Sequence, residues 1–565
     1  MRQSLLSLAL LVSVTCAQAA DAPPTEPSGL RALADQVSAD RLHATVAKLV
    51  GFGTRHTLSD TKSDKRGIGA ARRWVKSEFE AYSKDCGGCL QVETPAQTFS
   101  DGKRILQPTE VMDVIAIQRG TSDPNRVVLI TGHIDSRVTD VMNAKSDAPG
   151  ANDDGSGTAA VIEAARVLSK HKFAATIVYG VLSGEEQGLY GGKVLADYAK
   201  QQGWQVEADL NNDIVGNSHG QDGVNDNTYV RVFSEGTKSG ETLDQAKYRR
   251  YHGGEVDSPS RNVARLLADL ADRHLTNFRV RMVYRTDRYG RGGDQVPFLE
   301  AGFPAVRVTE AHENYTRQHQ DLRVEKGVHY GDTIDGVDFD YLAQVTRLNV
   351  FGLATMAAAP APPSGVDIDG AVSSDTTIHW QPVAGAAGYR VFWRDTLAPH
   401  WQRSEWIGSE TKATLKNIVV DDYFFGVSAV SADGYASQTQ RLQVGNMVLP
   451  AMPMVTIVRS ANAWVQANYK ETDLAKMRVG QPAKLEFDAY PDLNLCGHVE
   501  SIGAGTGSEF SVLPAQNATG NWVKVTQRVP VRIAIDCAPD RPMIAGLSTH
   551  VKVDTKPAPP QLARR

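Results

Sequence analysis

Between about residues 29 and 358, short apolar runs alternate with stretches whose apolar residues recur at helical spacing. Arg126 to Thr131 is a Val- and Ile-rich run, and Val161, Ala164, Ala165 and Leu168 then fall on one helix face. Thr176 to Leu182 reads as a second strand, Lys193 to Lys200 as a helix, and Val206 to Asp213 as a strand ending on an acid. Ser258-Pro259 predicts a helix start, with Val263, Leu266, Leu267 and Leu270 on one side. Phe278 to Tyr284 alternates like a strand, and Ala305 to Val308 predicts another. This rhythm predicts an α/β fold, a sheet covered by helices on both sides. In such folds ligands gather outside the carboxyl ends of the strands.

The rhythm stops at Ala359-Pro-Ala-Pro-Pro363, which reads as a stiff linker. Residues 364–442 are short β runs punctuated by turn residues (Ile378 to Pro382, Gly388 to Trp393, Tyr423 to Val430), the pattern of a small β-sandwich. A further all-β segment of different texture covers 445–556, and 557–565 reads as a loose tail. At the other end, Arg2, the apolar run Leu5 to Val14 and Ala17-Gln-Ala19 have the layout of a signal peptide over residues 1–20. That run is too short to span a bilayer. The expectation is an exported, soluble protein, periplasmic or secreted, with the first catalytic-sized domain at 21–358.

Bulk composition changes this picture little. A length of 565 residues suits about three or four domains. Hydrophobic content of 41%, charged content of 22% and a net charge of -5 give no reason to expect a nucleic-acid partner. Cys86, Cys89, Cys496 and Cys537 remain after the signal segment, and an even number in an oxidising compartment favours disulfides. Cys86-Gly-Gly-Cys89 reads as a short structural loop, since no thioredoxin-like pattern surrounds it.

The chemistry concentrates at strand ends. Thr131-Gly-His-Ile-Asp-Ser136, Pro149-Gly-Ala-Asn-Asp-Asp-Gly-Ser-Gly157 and Gly184-Glu-Glu-Gln-Gly188 place His133 and several carboxylates after successive strands, with Asn211-Asn-Asp213 following. Such N/O donors bind a divalent metal, and a carboxylate beside it can take a proton from water. Adjacent side chains diverge, so one of Glu185 and Glu186 can bind metal while the other faces water.

On these motifs, residues of roughly 40–358 resemble the co-catalytic di-zinc aminopeptidase family, which includes secreted leucyl-type aminopeptidases and, more distantly, glutamate carboxypeptidases and glutaminyl cyclases. The resemblance implies a mixed sheet sandwiched by helices and two zinc ions per chain. It also implies roles. His133 would be the first ligand of one zinc and Asp135 the carboxylate orienting its ring; Asp153 would bridge both metals, with Asp154 a structural partner in the turn. Glu185 would be the general base, Glu186 a zinc ligand, and Asp213 a ligand to the other zinc. Arg317-Gln-His319 matches the start of the motif carrying the last ligand, and His329-Tyr-Gly-Asp-Thr333 its later part, so His319 is the expected ligand with His329 and the more remote His312 as alternatives. Tyr289 falls where some relatives place a tyrosine that stabilises the oxyanion; Arg288 or Arg291 could serve instead. His56 and His171 lack ligand spacing and suit surface or capping roles.

Residues 363–442 resemble a fibronectin type III domain, with Trp380, Tyr389 and Tyr423 at core positions. Ala463 to Thr472, Val479-Gly-Gln-Pro482 and Phe510 to Trp522 resemble the β-barrel end of periplasmic adaptor (membrane-fusion) proteins, which suggests association with an envelope or efflux assembly. The combined expectation is a secreted zinc exopeptidase acting on peptides, an aminopeptidase first. A carboxypeptidase or glutaminyl cyclase on the same fold, or an envelope adaptor with a vestigial peptidase domain, are the other readings.

Overall fold

The computed structural model describes residues 22–24, 27, 29–437, 440–441, 464–503, 528–537 and 548–556. Residues 1–20, expected as a signal segment, the stretch 510–522 and the tail 557–565 lie outside the described residues. The chain divides into two compact units, Met1–Met454 and Val455–Arg565.

The first unit is built on an eight-stranded mixed sheet. Its order is Leu90–Glu93, Val114–Gln118, Ala175–Leu182, Asp123–His133, Gln205–Asn212, Ala305–Thr309, Tyr229–Phe233 and Arg279–Val283. The four central strands, Ala175–Leu182 to Ala305–Thr309, run parallel. Their carboxyl ends therefore open on one edge. Strand Asp123–His133 shows how both faces are filled. Val128 and Ile130 join one core with Ile177 and Tyr179, while Val127 and Leu129 join another with Val178 and Leu182. Alternate residues of a strand point to opposite faces, so a run apolar at every position is buried on both. Helices Ala39–Val50, Gly155–Leu168, Pro259–His274 and Phe339–Ala358 cover the first core, and Tyr190–Gln201 and Gln295–Glu300 the second.

The predicted helix start at Ser258 holds, its hydroxyl accepting from Arg261 N with Pro259 in the first turn. Elements beyond those predicted include the sheet strands Leu90–Glu93, Val114–Gln118 and Tyr229–Phe233, an antiparallel hairpin of Ala96–Phe99 and Thr109–Met112, an exposed helix Leu243–His252, and a hairpin of Arg323–Glu325 and Val328–Tyr330.

A three-stranded and a four-stranded sheet follow over Asp367–Arg441. Trp380, Tyr389, Val391 and Phe425 pack between them, with Tyr423 partly buried at their edge. The preceding segment is not a free spacer at its start, because Ala359 is fully buried and its carbonyl accepts from Arg126 Nη2 at 2.6 Å. These sheets share a buried ionic contact with the α/β portion. Arg394 donates to both oxygens of Asp257 at 2.7 Å, Arg265 pairs with the same carboxylate at 2.6 Å, and Arg265 Nε donates to Pro399 O.

The second unit is a five-stranded antiparallel sheet in the order Trp464–Lys470, Arg528–Ile535, Tyr490–Ile502, Pro482–Phe487 and Thr549–Val553. Tyr469 of the first strand donates to Val551 O of the last at 3.0 Å, so the sheet curls into a nearly closed barrel around Leu485, Val499, Val531 and Ile533. Disulfides join Cys86 to Cys89 and Cys496 to Cys537. No helix among the described residues is long and apolar enough to cross a membrane.

Candidate metal centre

Strand Asp123–His133 delivers His133 at its last position. Gly132 and Gly157 make this possible, because a Cβ on Gly132 would lie 2.7 Å from Gly157 and one on Gly157 would collide with Asn212 O. Helix Gly155–Leu168 can thus press its first turn against the strand ends. Asp154 caps that helix and ties the pieces together: Oδ1 accepts from Gly157 N (2.9 Å) and Ile214 N (3.2 Å), and Oδ2 accepts from His133 N (2.9 Å). A carboxylate with three backbone donors is held in place rather than offered to a ligand.

Asp135 is fully buried, with Oδ1 3.6 Å from His133 Nδ1; the same ring nitrogen is nearer, at 3.1 Å, to the Asp135 carbonyl. Its Oδ2 accepts from Thr57 Oγ1 at 2.8 Å and Glu186 N at 3.1 Å, and Oδ1 from Glu185 N at 3.3 Å. One carboxylate therefore fixes both the imidazole and the turn that carries the two glutamates. That turn opens on Gly184 at φ 76°, a left-handed conformation that glycine adopts without steric cost.

Asp153 lies between the two histidines. Its Oδ1 is 3.3 Å from His133 Nε2, and its Oδ2 is 2.8 Å from His319 Nε2. His133 Nε2 is also 3.8 Å from Asp213 Oδ1, and His319 Nε2 is 3.1 Å from Glu186 Oε1. The result is two triads, His133–Glu185–Asp213 and Asp153–Glu186–His319, the donor atoms of each within 4.8 Å of one another. Asp332 steadies the bridge by accepting from Asn152 N and, at 2.7 Å, Asp153 N. His319 sits at φ 54°, a left-handed backbone that costs a non-glycine residue on the order of 1 kcal/mol and clusters at functional positions.

The electrostatics fit a cation. Burial alone would push the His133 imidazolium down, but Glu185, Asp135, Asp153 and Asp213 reverse this and hold it well above the ordinary value. Burial likewise opposes the charged form of His319, and Glu186 and Asp153 raise it to about 10. Burial would raise Asp153, yet the two histidines draw it well below the carboxylate range. Asp213 is drawn to about 2 against its burial by Arg307 and His133. Burial dominates at Glu185 and raises it well above its usual value. Positive charge is thus demanded among the carboxylates. His133 Nε2 and Glu186 Oε1 are buried without a hydrogen-bond partner, a cost of about 1–3 kcal/mol each unless something coordinates them. Two imidazoles and four carboxylates are a donor set that suits zinc.

The structure brings His133, Asp135, Asp153, Glu185, Glu186, Asp213 and His319 together. It does not bring Tyr289, whose ring is 88% exposed with the Arg285 guanidinium over it; its neighbours Arg288 and Arg291 line the cleft instead. His329 is exposed on the hairpin Arg323–Tyr330, which loops out between His319 and Asp332. His312 pairs with Asp222 and Tyr229, away from both triads. His56 is buried, not at the surface, and its Nδ1 accepts from Leu58 N.

Four participants are not evident from the sequence motifs. Arg137 donates to Glu186 Oε2 and faces His319 Nδ1, both at 2.7 Å. Arg307, fully buried, pairs with Asp213 Oδ2 at 2.6 Å. Gln318 Nε2 donates to Asp153 Oδ2 at 3.3 Å. Arg55, also fully buried, donates to Ile134, Leu49, Pro149 and Gly150 carbonyls and shapes the loop that carries Asp153. Only Arg307 leaves a signal, an arginine inside the otherwise apolar run Ala305–Val308.

Residues 113–328 match the family model for peptidase family M28, and residues 462–554 that for the AAEA-like beta-barrel domain. A probable zinc metalloprotease of Pyrenophora teres f. teres is 45% identical over 420 residues, covering 74% of this chain and 86% of the relative. One from Pyricularia oryzae is 42% identical over 443 residues, covering 75% and 88%. Among solved structures, the Legionella pneumophila LapA aminopeptidase aligns with a TM-score of 0.42 at 20% identity, over 63% of this chain and 80% of that one. At that extent and identity with the metalloprotease relatives, the chain belongs to peptidase family M28.

Proposed function

We propose that the protein is a zinc-dependent exopeptidase, in the first place an aminopeptidase that releases N-terminal residues from peptides, holding two zinc ions per chain. The observation that carries this reading is Asp153, with one oxygen toward His133 and the other toward His319, while Glu185 stands beside His133 and Asp213. His133, Asp213 and Asp153 would hold one ion, and Glu186, His319 and Asp153 the other. When bound, the pair would supply Lewis acidity toward the scissile carbonyl and lower the pKa of a water to near neutrality.

The chain's own residues do the rest. Asp135 and Asp154 fix the His133 ring, the glutamate turn and the strand ends, so the donors are set before substrate arrives. Glu185, enclosed by protein but open to the cleft, takes a proton from the attacking water and delivers it to the departing amine. Arg307 neutralises Asp213 from behind, away from the reacting groups. The cluster of carboxylates gives a free substrate amine a favourable place, which favours aminopeptidase action. Export is supported by the two disulfides, which persist in oxidising compartments.

The test is hydrolysis of aminoacyl p-nitroanilides by the mature protein, with and without chelator and beside Glu185→Ala. Activity lost on chelation, restored by zinc and absent in the variant supports the reading. Turnover of N-blocked peptides or of N-terminal glutamine alone would replace it with carboxypeptidase or cyclase chemistry.

A further inference from the structure

The cleft over the two triads has a volume of about 710 Å³, and its lining does not resemble an apolar side-chain pocket. Its four carboxylates, Asp153, Glu185, Glu186 and Asp213, all belong to the triads. The charged groups of the lining outside the triads are four arginines: Arg104, Arg137, Arg288 and Arg291. Leu189 and Tyr315 are the large apolar side chains among the lining residues. Pockets that recognise apolar ligands are lined mostly by hydrophobic and aromatic groups, with few polar ones.

The arginines are held in place. Arg288 has a side chain 9% exposed, with Nε on Asp287 Oδ1 at 3.2 Å; its Nη1 is buried without a hydrogen bond and lies 3.6 Å from Glu313. Glu313 is shared by three guanidinium groups, those of Arg231, Arg288 and Arg291, at 3.0, 3.6 and 3.1 Å. Asp287 offsets part of this charge, yet the wall keeps more cation than its own carboxylates use. Arg104, exposed, holds the Glu186 carbonyl through Nη1 at 2.7 Å. Gly290 lies between Arg288 and Arg291 and leaves open space where a side chain would stand. Arg137 adds to the set on loading. A neutral His319 cannot accept from Arg137 at Nδ1 and bind a cation at Nε2 together, so an ion there would free Nη2 of that guanidinium while Nε stays on Glu186 Oε2.

We propose that the cleft selects substrates bearing a carboxylate on a residue beside the scissile bond, with Arg288 and Arg291 as specificity-determining residues. Guanidinium forks recognise carboxylates in two-point geometry, and a neutral analogue leaves buried donors unpaired. The carboxylate has two sources, an acidic side chain or the free C-terminus of a short peptide. This inference rests on the exopeptidase reading of the same site.

Two measurements test it. The first compares kcat/KM for glutamyl and glutaminyl p-nitroanilides, and for Ala-Ala and its C-terminal amide. A preference of about 10–100-fold for the charged member of either pair is expected, and which pair shows it identifies the source. Arg291→Gln, whose side chain is 35% exposed and so tolerates exchange, removes most of that preference. The second measurement needs no turnover: calorimetric titration of glutarate and its monoamide into the zinc-loaded Glu185→Gln protein. Glutarate binding about tenfold tighter, with the difference lost in Arg291→Gln and Arg288→Gln, supports the inference. Equal affinities, or a difference that survives both variants, overturn it. Hydrolysis of neutral substrates without charge preference sinks the specificity alone. Glutarate discrimination without turnover of any peptide sinks the aminopeptidase reading alone.

Discussion

In the α/β portion, the side chains of His133, Asp153, Glu186 and Asp213 are each at most 5% exposed, and two of their polar atoms lack a hydrogen-bond partner. In the C-terminal barrel, the pairs His498–Asp536 and Arg532–Glu500 have side chains 41–47% exposed, over a core of Leu485, Val499, Val531 and Ile533. Both regions are β-rich and both contain charge, so charge alone separates nothing. Burial does. An ionised group taken out of water costs several kcal/mol unless partners compensate, whereas an exposed pair costs and contributes little. The first region therefore holds its charges against its own stability, which marks it as the place where chemistry happens. The second arranges its charges as a solvated surface.

The sharpest way to break this contrast is at Glu185. Glu185→Gln keeps the volume and removes the base, so kcat/KM falls by about 10²–10⁴-fold while the bound zinc, measured by atomic absorption, is unchanged. A variant retaining more than about a tenth of the wild-type rate would show that the buried carboxylate has another purpose. Next in size is a buried charge outside the cleft. Arg394 is 1% exposed on Asp257, and Arg394→Ala removes the two-point ion pair from that carboxylate while Arg265 stays beside it. The expected loss is about 3–5 kcal/mol in denaturant unfolding, with kcat/KM of the folded fraction unaltered. A loss under about 1 kcal/mol would mean that burial is a poor guide to cost in this molecule.

The two sites differ in legibility for a related reason. His133, Glu185, Glu186 and Asp213 could be read because each sits at or just after a strand end, and Asp153 because it lies in the motif turn that opens helix Gly155–Leu168. His319 was harder, because the hairpin Arg323–Tyr330 separates it from Asp332, and only packing shows that hairpin looping out. Arg137 reaches His319 across 182 positions and Arg394 reaches Asp257 across 137, and no local pattern encodes either meeting. Tyr289 stands apart from the cluster for the opposite reason. Its motif is local, yet Tyr289 is 88% exposed while Arg288 and Arg291 line the cleft, a difference that local sequence does not encode.

Asp269 sharpens the comparison, being buried and titratable yet remote from both triads. Burial, opposed by Arg273, pushes it up to about 7. A carboxyl whose folded value exceeds its unfolded one binds more protons in the native state, so stability declines as pH rises from about 4 to 7. A tenfold difference in proton affinity between the folded and unfolded chain is worth about 1.4 kcal/mol. Asp269→Asn should therefore gain on the order of 2 kcal/mol over wild type at pH 8 relative to pH 5, read as the difference in thermal midpoint. Parallel pH profiles for the two proteins would refute it.

The smallest effect belongs to the barrel. Arg532 pairs with Glu500 across neighbouring strands, and its guanidinium lies 4.4 Å from the centre of the exposed Trp464 ring. Water and salt screen both contacts, so Arg532→Ala should cost less than about 1 kcal/mol, and less still in 1 M salt. If the loss were instead as large as that of Arg394→Ala and insensitive to salt, exposure would not be what distinguishes the two regions. The pair would then have to be counted as part of the barrel's framework, and the inference from buried charge to chemistry would need another foundation.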